Sequence, residues 1–241
     1  MKKKTFLAII PARAGSKRLP NKNILLLNKK PLISYSIIEA KKSKYIDEVV
    51  VTSDGKDILK VAKQYKASIV KRPAKLSSDT ATTFDAIKHT IKCYKKQNKE
   101  FDYIILLQPT SPLRLAKDID NAIKILNKKN AKAVVSISRM EHSPLWSFKA
   151  KKNKKLDKIF KTKFMHKRSQ DLPQYYGLNG AVYICKTKML LKYGTFLLPK
   201  GIYGYKMPQK RSIDIDAKID FQLAEILQKK DKVWQKKMME N

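Results

Sequence analysis

The stretch Ala8-Ile9-Ile10-Pro11-Ala12-Arg13-Ala14-Gly15-Ser16-Lys17-Arg18-Leu19-Pro20-Asn21-Lys22-Asn23 joins an apolar run to a turn crowded with small and cationic residues. The run Phe6–Ile10 shows no polar alternation, so it reads as a strand buried on both faces, the kind found in parallel sheets. A chain that leaves such a strand through Gly, Ser, Lys and Arg aims backbone N–H groups and basic side chains at one spot. That spot suits a phosphate chain. Taken alone, the same residues also describe a solvated basic loop after an edge strand.

Outward from this strand the pattern repeats. Glu48–Thr52, Ser68–Val70, Tyr103–Leu107 and Ala133–Ser138 are apolar enough to lack a wet face. Between them, Ile33–Lys42, Lys56–Tyr65, Thr83–Tyr94 and Asp118–Asn127 carry apolar residues at helical spacing. The order predicts an α/β fold, a three-layer, Rossmann-like arrangement around a mostly parallel sheet. Ligands of such sheets bind at the carboxyl ends of the strands. Met140–Leu178 breaks the rhythm with the lysine-dense run Lys149–Lys158 and the polar segment His166–Pro173, and reads as a hairpin insertion or a dimerisation arm. Ala181–Cys185 then resumes the strand pattern and Ile219–Gln228 predicts a closing helix.

Composition bounds the rest. A chain of 241 residues, 43% hydrophobic, predicts a single domain over 1–241 with an insertion at about 140–178. Cys93 and Cys185 lie far apart with no CxxC or Cys/His spacing, which indicates neither a zinc site nor a disulfide framework and points to a reducing, cytoplasmic setting. Met1–Lys4 followed by Thr5–Ile10 superficially resembles a leader, but the apolar stretch is too short and runs into Pro11 and Arg13. No run approaches the roughly 18 apolar residues of a membrane helix, so no membrane partner is expected. The net charge of +34 comes from 54 Lys and Arg, only seven of them Arg, against 20 Asp and Glu. These lysines are scattered over every predicted element and are not interleaved with aromatic residues, so a specific nucleic-acid surface is not expected. Scattered lysine beside abundant Ile and Asn reads as compositional bias of the source, with a general attraction for polyanions as its physical result.

Three further segments belong at the same sheet edge. Lys71-Arg72-Pro73-Ala74-Lys75-Leu76-Ser77-Ser78-Asp79-Thr80-Ala81-Thr82-Thr83 leads into a helix. Its hydroxyl residues serve either as caps or as groups presented to a base or ribose. Leu106-Leu107-Gln108-Pro109-Thr110-Ser111-Pro112-Leu113-Arg114 emerges from a buried strand as a rigid turn in which Gln108 offers both a donor and an acceptor. Ser212-Ile213-Asp214-Ile215-Asp216 predicts a strand with both carboxylates on one face, about 7 Å apart at ~3.3 Å per residue. Paired hard oxygen ligands beside a phosphate site suit Mg²⁺, and a solvated edge strand is the plainer alternative. His89, His142 and His166 read as structural or solvated rather than catalytic.

Taken in order, IIPARAGSKRLPNKN, VVVTSDG, KRPAKLSSDTATT, LLQPTSPLR, RSQDLPQYYGLNGAVYI and SIDIDAKIDF span nearly the whole chain. Together they resemble the CMP-sialic acid synthetases (acylneuraminate cytidylyltransferases), which have a nucleotide-diphospho-sugar transferase type of fold. The resemblance implies that CTP and an acidic nine-carbon sugar react to CMP-sugar and pyrophosphate, with Mg²⁺, in a homodimer whose arm is the irregular insertion. It implies nucleotide contacts from Arg13, Ser16, Lys17, Asn23, Arg72, Ala81 and Thr83, and sugar contacts from Gln108, Asn179, Tyr183 and Phe196. It also implies catalytic roles for Arg168, Lys22 and Asp216, with Asp214 and Asp216 as magnesium ligands.

Ala14 stands where Gly is commoner in the family, which matters little if its φ is ordinary, and Trp146 stands where several members carry a basic residue. A sister enzyme using legionaminic, pseudaminic or Kdo-type sugars is the nearest alternative. A basic nucleic-acid-binding protein is the distant one, and it leaves the Asp214/Asp216 pair unexplained.

Overall fold

A computed structural model describes residues 3–16, 18–77, 80–160 and 163–239. Its strands are β1 (Phe6–Pro11), β2 (Leu26–Leu27), β3 (Lys30–Pro31), β4 (Glu48–Ser53), β5 (Ser68–Lys71), β6 (Tyr103–Leu106), β7 (Ala133–Arg139), β8 (Phe148–Ala150), β9 (Leu156–Lys158), β10 (Tyr176–Lys186) and β11 (Ile202–Lys206). The helices are α1 (Leu32–Lys42), α2 (Lys56–Gln64), α3 (Thr83–Lys95), α4 (Ala116–Lys128), α5 (Thr187–Tyr193) and α6 (Lys218–Met239).

Seven strands form one sheet in the order β11-β7-β10-β6-β1-β4-β5. β1 pairs in parallel with both β4 and β6, and β4 with β5. β11 is parallel to β7, and only β10 runs antiparallel to its neighbours β6 and β7. Alternate strand residues feed two cores. Ala8, Ile10, Val51 and Ile105 face α1, α2 and α4, whereas Leu7, Ile9, Val50 and Ile104 face α3 and α5. This is the expected three-layer α/β arrangement, with strands that are apolar because both sides are covered.

Four observations extend or correct the sequence reading. Ser212–Asp216 is not a strand but an extended segment between a 3-10 turn and α6. The alternation survives nevertheless: Ile215 is fully buried with Leu27, Leu32, Leu113 and Ala224, and the flanking aspartates point the other way. The insertion does contain a hairpin, β8 paired with β9. α5 and the edge strand β11 lie in Thr187–Lys206, where the alternating Ile202-Tyr203-Gly204-Tyr205 is too polar to register as a buried strand.

One buried charge fastens the turn after β6. Arg114 is 1% exposed, and its Nη1 donates to the Ala181 carbonyl at 2.9 Å and to that of Gln108 at 3.4 Å. Its Nη2 donates to Ser36 Oγ at 2.6 Å, so one side chain joins the β6 turn, β10 and α1. Burial pushes its pKa down to about 10, opposed by the charges of Glu39 and Asp118. Two effects oppose each other on its removal: relief from burying a cation, and orphaning of the buried Ala181 carbonyl with a cavity besides. The second should win. Arg114→Met is expected to lower the free energy of unfolding by about 2–4 kcal/mol, measured by urea denaturation. An unchanged or higher value would show that the guanidinium is dispensable.

Candidate active site

The chain ends of β1, β5 and β6 open onto a cavity of about 650 Å³, walled by Arg13, Ser16, Lys22, Asn23, Arg72, Ala81, Thr83, Gln108, Asp214 and Asp216 among others. Segments far apart in sequence are thus brought together at the sheet edge where a ligand was expected.

The loop after β1 is held from beneath. Asn23 is buried, and its Nδ2 donates to the Arg13 carbonyl at 3.0 Å, so its side chain braces the loop. The carboxylate of Asp54, at the end of β4, accepts from the Ala14 N–H at 3.2 Å and lies 3.5 Å from Arg72 Nη2. Arg72 also donates to the Ala12 carbonyl at 3.2 Å. Burial lowers its pKa, and Asp54 opposes that effect. The carboxylate of Asp54 and the guanidinium of Arg72 that hold the loop therefore come from neighbouring strand ends, and Ala14 is not among the described residues with positive φ. Lys17 lies outside the described residues.

Across the cavity, Thr82 caps α3. Its Oγ1 accepts from the Asp85 N–H at 3.2 Å and Asp85 Oδ2 accepts from the Thr82 N–H at 3.0 Å. Thr83 and Ala81 therefore flank a helix start on the cavity wall, where the partial positive charge of the amides favours an anion. Arg72 Nε and Ser77 Oγ are buried on this wall with no hydrogen-bond partner among the described residues. They leave polar capacity that a ligand would satisfy.

The acidic wall opposes these cations. Lys22 Nζ donates to the Ile215 carbonyl at 2.5 Å and to Asp216 Oδ1 at 3.3 Å, and Arg18 Nη1 reaches Asp216 Oδ2 at 2.8 Å. Burial raises the pKa of Asp214, and the Asp216 charge adds to it, against a hydrogen bond from Thr110. Two acids held together in this way have the chemistry to receive a hard divalent cation, which would relieve their repulsion. No cluster of three His, Cys, Asp or Glu side chains occurs among the described residues, so a cation here would complete its shell with water and phosphate oxygens.

Four expected contacts lie elsewhere. Asn179 is buried and internally engaged: Oδ1 accepts from Ser136 Oγ at 2.6 Å, and Nδ2 donates to Ser212 Oγ at 2.9 Å. It ties β7, β10 and the acidic segment together rather than facing the cavity. Phe196 is buried on the α3/α5 side with its ring 5.8 Å from that of Tyr183, so it packs a core instead of lining a pocket. Tyr183 is half-buried, its hydroxyl bonded to the Gly180 backbone and within reach of the Asp214 charge; burial raises its pKa. Arg168 sits in the insertion, largely exposed and paired with Asp171 at 3.0 Å, outside the cavity.

Of the residues not anticipated, Arg18, Thr110 and Asp54 all lie inside quoted motifs, Asp54 as the penultimate residue of VVVTSDG; what hid them was the contact, not the position. His142 and His166 are exposed, and no histidine is on the cavity wall among the described residues.

The family of cytidylyltransferases has a sequence model that matches residues 7–240. A CMP-N,N'-diacetyllegionaminic acid synthase of Legionella pneumophila is 39% identical, covering 92% of this chain and 95% of its own length. An N-acylneuraminate cytidylyltransferase of Escherichia coli is 34% identical over 93% of this chain, which spans about half (52%) of that protein. The fold is shared with a CMP:2-keto-3-deoxy-manno-octonic acid synthetase solved with CTP, at a TM-score of 0.71 and 16% identity over 95% of this chain and all (100%) of that one.

Gly180 offers a direct test of the wall. It has φ +72° at the register shift in β10, and a Cβ there would lie 2.6 Å from Gln108 Oε1 and 3.3 Å from Ser111 Oγ. Gly180→Ala is expected to cost about 1–3 kcal/mol of stability and to displace the Gln108 amide. Thermal unfolding checks the first, and a crystal structure of the variant the second.

Proposed function

The chain belongs to the cytidylyltransferase family, and on that premise we propose that it transfers CMP from CTP to the anomeric hydroxyl of an acidic nine-carbon, sialic-type sugar. The observation that carries this reading is the opposition, across one cavity, of a braced cationic loop and a pair of carboxylates. In the reaction the sugar oxygen attacks the α-phosphorus of CTP. A new P–O bond forms, the bond to the β-phosphate breaks, and pyrophosphate departs.

The hydroxyl is a poor nucleophile, so catalysis rests on positioning and on neutralising charge. Arg13 and Ser16 hold phosphate oxygens, Arg72 with Ala81 and Thr83 at the start of α3 receives the cytidine portion, and Gln108 faces the sugar. Lys22 stabilises departing charge from a position fixed by Ile215 and Asp216. Asp214 and Asp216 would hold Mg²⁺, which supplies charge neutralisation at the transferring and departing phosphates. Asn179 contributes as a brace.

We also propose a homodimer. The insertion exposes Phe148, Leu156, Ile159 and Phe160, more apolar surface than a hairpin keeps in water, and it carries Arg168 beyond its own cavity. In a dimer Arg168 would serve the partner subunit.

A second reading, a diacetylated legionaminic acid as acceptor, is favoured by the Legionella relative, which this chain matches nearly end to end. Pyrophosphate release from CTP with N-acetylneuraminate, legionaminate, pseudaminate or Kdo, with and without EDTA, separates the two. Metal-dependent release with one nine-carbon sugar is the expected result, and release with Kdo alone would overturn the proposal. Asp216→Asn is expected to lower turnover at least about 10²-fold with the fold retained, read by the same assay and by circular dichroism. A mixture of inactive Asp216→Asn and Arg168→Ala chains should regain activity if Arg168 acts across the dimer.

A further inference from the structure

The Asp214/Asp216 segment belongs to no sheet, yet it must hold two like charges together. Its upstream fastening is a buried ion pair outside the cavity. Asp118, at the start of α4, is fully buried. Arg211 embraces it with both arms of the guanidinium, Nη2 to Oδ1 at 2.7 Å and Nε to Oδ2 at 3.0 Å. The remaining capacity of the carboxylate is taken by Tyr205 Oη, which donates to Oδ1 at 2.8 Å, and by the Leu115 N–H, which donates to Oδ2 at 3.0 Å. Both parallel arms of the fork are used, a geometry that fixes direction as well as distance.

The pair therefore clamps together α4, β11 and the chain three residues before Asp214. Downstream, the Ile215 N–H donates to the Thr110 carbonyl at 2.8 Å, and the N–H groups of Asp216 and Ala217 donate to Asp220 Oδ2 at 3.0 and 2.7 Å. Asp214 thus lies on a short span between two fixed ends, one of which is Arg211.

We propose that Asp118, through Arg211, is a positioning residue for the metal-binding carboxylates, setting the affinity of the site for a divalent cation without touching it. The inference rests on the reading of Asp214 and Asp216 as metal ligands. Groups hydrogen-bonded to a metal ligand commonly control affinity by about 10–100-fold, and Asp118 acts one step further back, through Arg211 and the backbone, so the lower end of that range is expected.

The test uses Mn²⁺ as the probe, its binding to the full chain measured by electron paramagnetic resonance in the presence of CTP and in the absence of sugar, well below the melting temperature. Asp118→Asn keeps shape and loses the charge. Arg211→Lys keeps the charge and loses the fork, and it serves if Asp118→Asn does not fold. In either folded variant Mn²⁺ affinity is expected to fall about tenfold, with metal-free CTP binding within twofold of the parent. Added to Asp214→Asn, the same substitution should weaken Mn²⁺ no further. A folded variant that melts earlier but binds Mn²⁺ as the parent does would overturn the positioning role and leave the metal site standing. A parent chain whose Mn²⁺ binding is indifferent to Asp214→Asn and Asp216→Asn would overturn the metal site itself, and the inference with it.

Discussion

The molecule turns on a cation that has been taken out of water and given carbonyls instead of a carboxylate. Arg114 is bonded to the backbone of Ala181 and Gln108 and to Ser36, with no acidic group in ion-pair contact among the described residues. Burying a charge in this way is costly unless its donors are used, and one of them, Nε, is unpaired among the described residues. What the arrangement secures is geometry. β10 runs against its neighbours and carries a register shift, and the carbonyl of Ala181, within that shift, is where Arg114 grips it. The β6 turn, the irregular part of β10 and α1 are thereby locked in one relation. Gln108, Thr110 and, through Thr110, Asp214 inherit their positions from it.

Around this anchor the cavity is assembled from side chains that mostly hold one another. Asn23 holds the Arg13 carbonyl, Asp54 holds Ala14 beside Arg72, and Lys22 holds Ile215. The opposing charges are held in place by backbone contacts and not by mutual ion pairing alone. Exposed pairs such as Arg18–Asp216 are worth little in water. They exchange readily for a phosphate or a metal, whereas the buried struts do not.

The repeating architecture was legible because burial on both faces leaves a distinct mark: β1, β4, β6 and β7 are uninterrupted apolar runs, and the helices between them show regular spacing. The edge strand β11 escaped that reading because its polar face is wet. The alternation of the acidic segment mimics a strand, but alternation reports two unlike sides, not a ladder: here Ile215 packs into a satellite core and its segment pairs with no strand among the described residues. Residues of the cavity wall were legible where chemistry demands a type, as with Asp214 and Asp216. Asn179 and Phe196 were not, since an amide or a ring inside a motif serves packing and recognition equally well, and only burial separates the two.

The bond from Lys22 to Ile215 spans 193 positions of sequence. During synthesis the cationic loop and β1 emerge well before the acidic segment, and until the chain has passed β11 the loop has Asp54 but neither Asp214 nor Asp216 to face. Contacts of such sequence separation close slowly and late. A partly made chain is therefore an unbalanced object, basic at its mouth, able to attract polyanions yet lacking the carboxylates that would organise them. Recognition of charge precedes chemistry in the making of this protein, and the segment between β11 and α6 delivers the final wall.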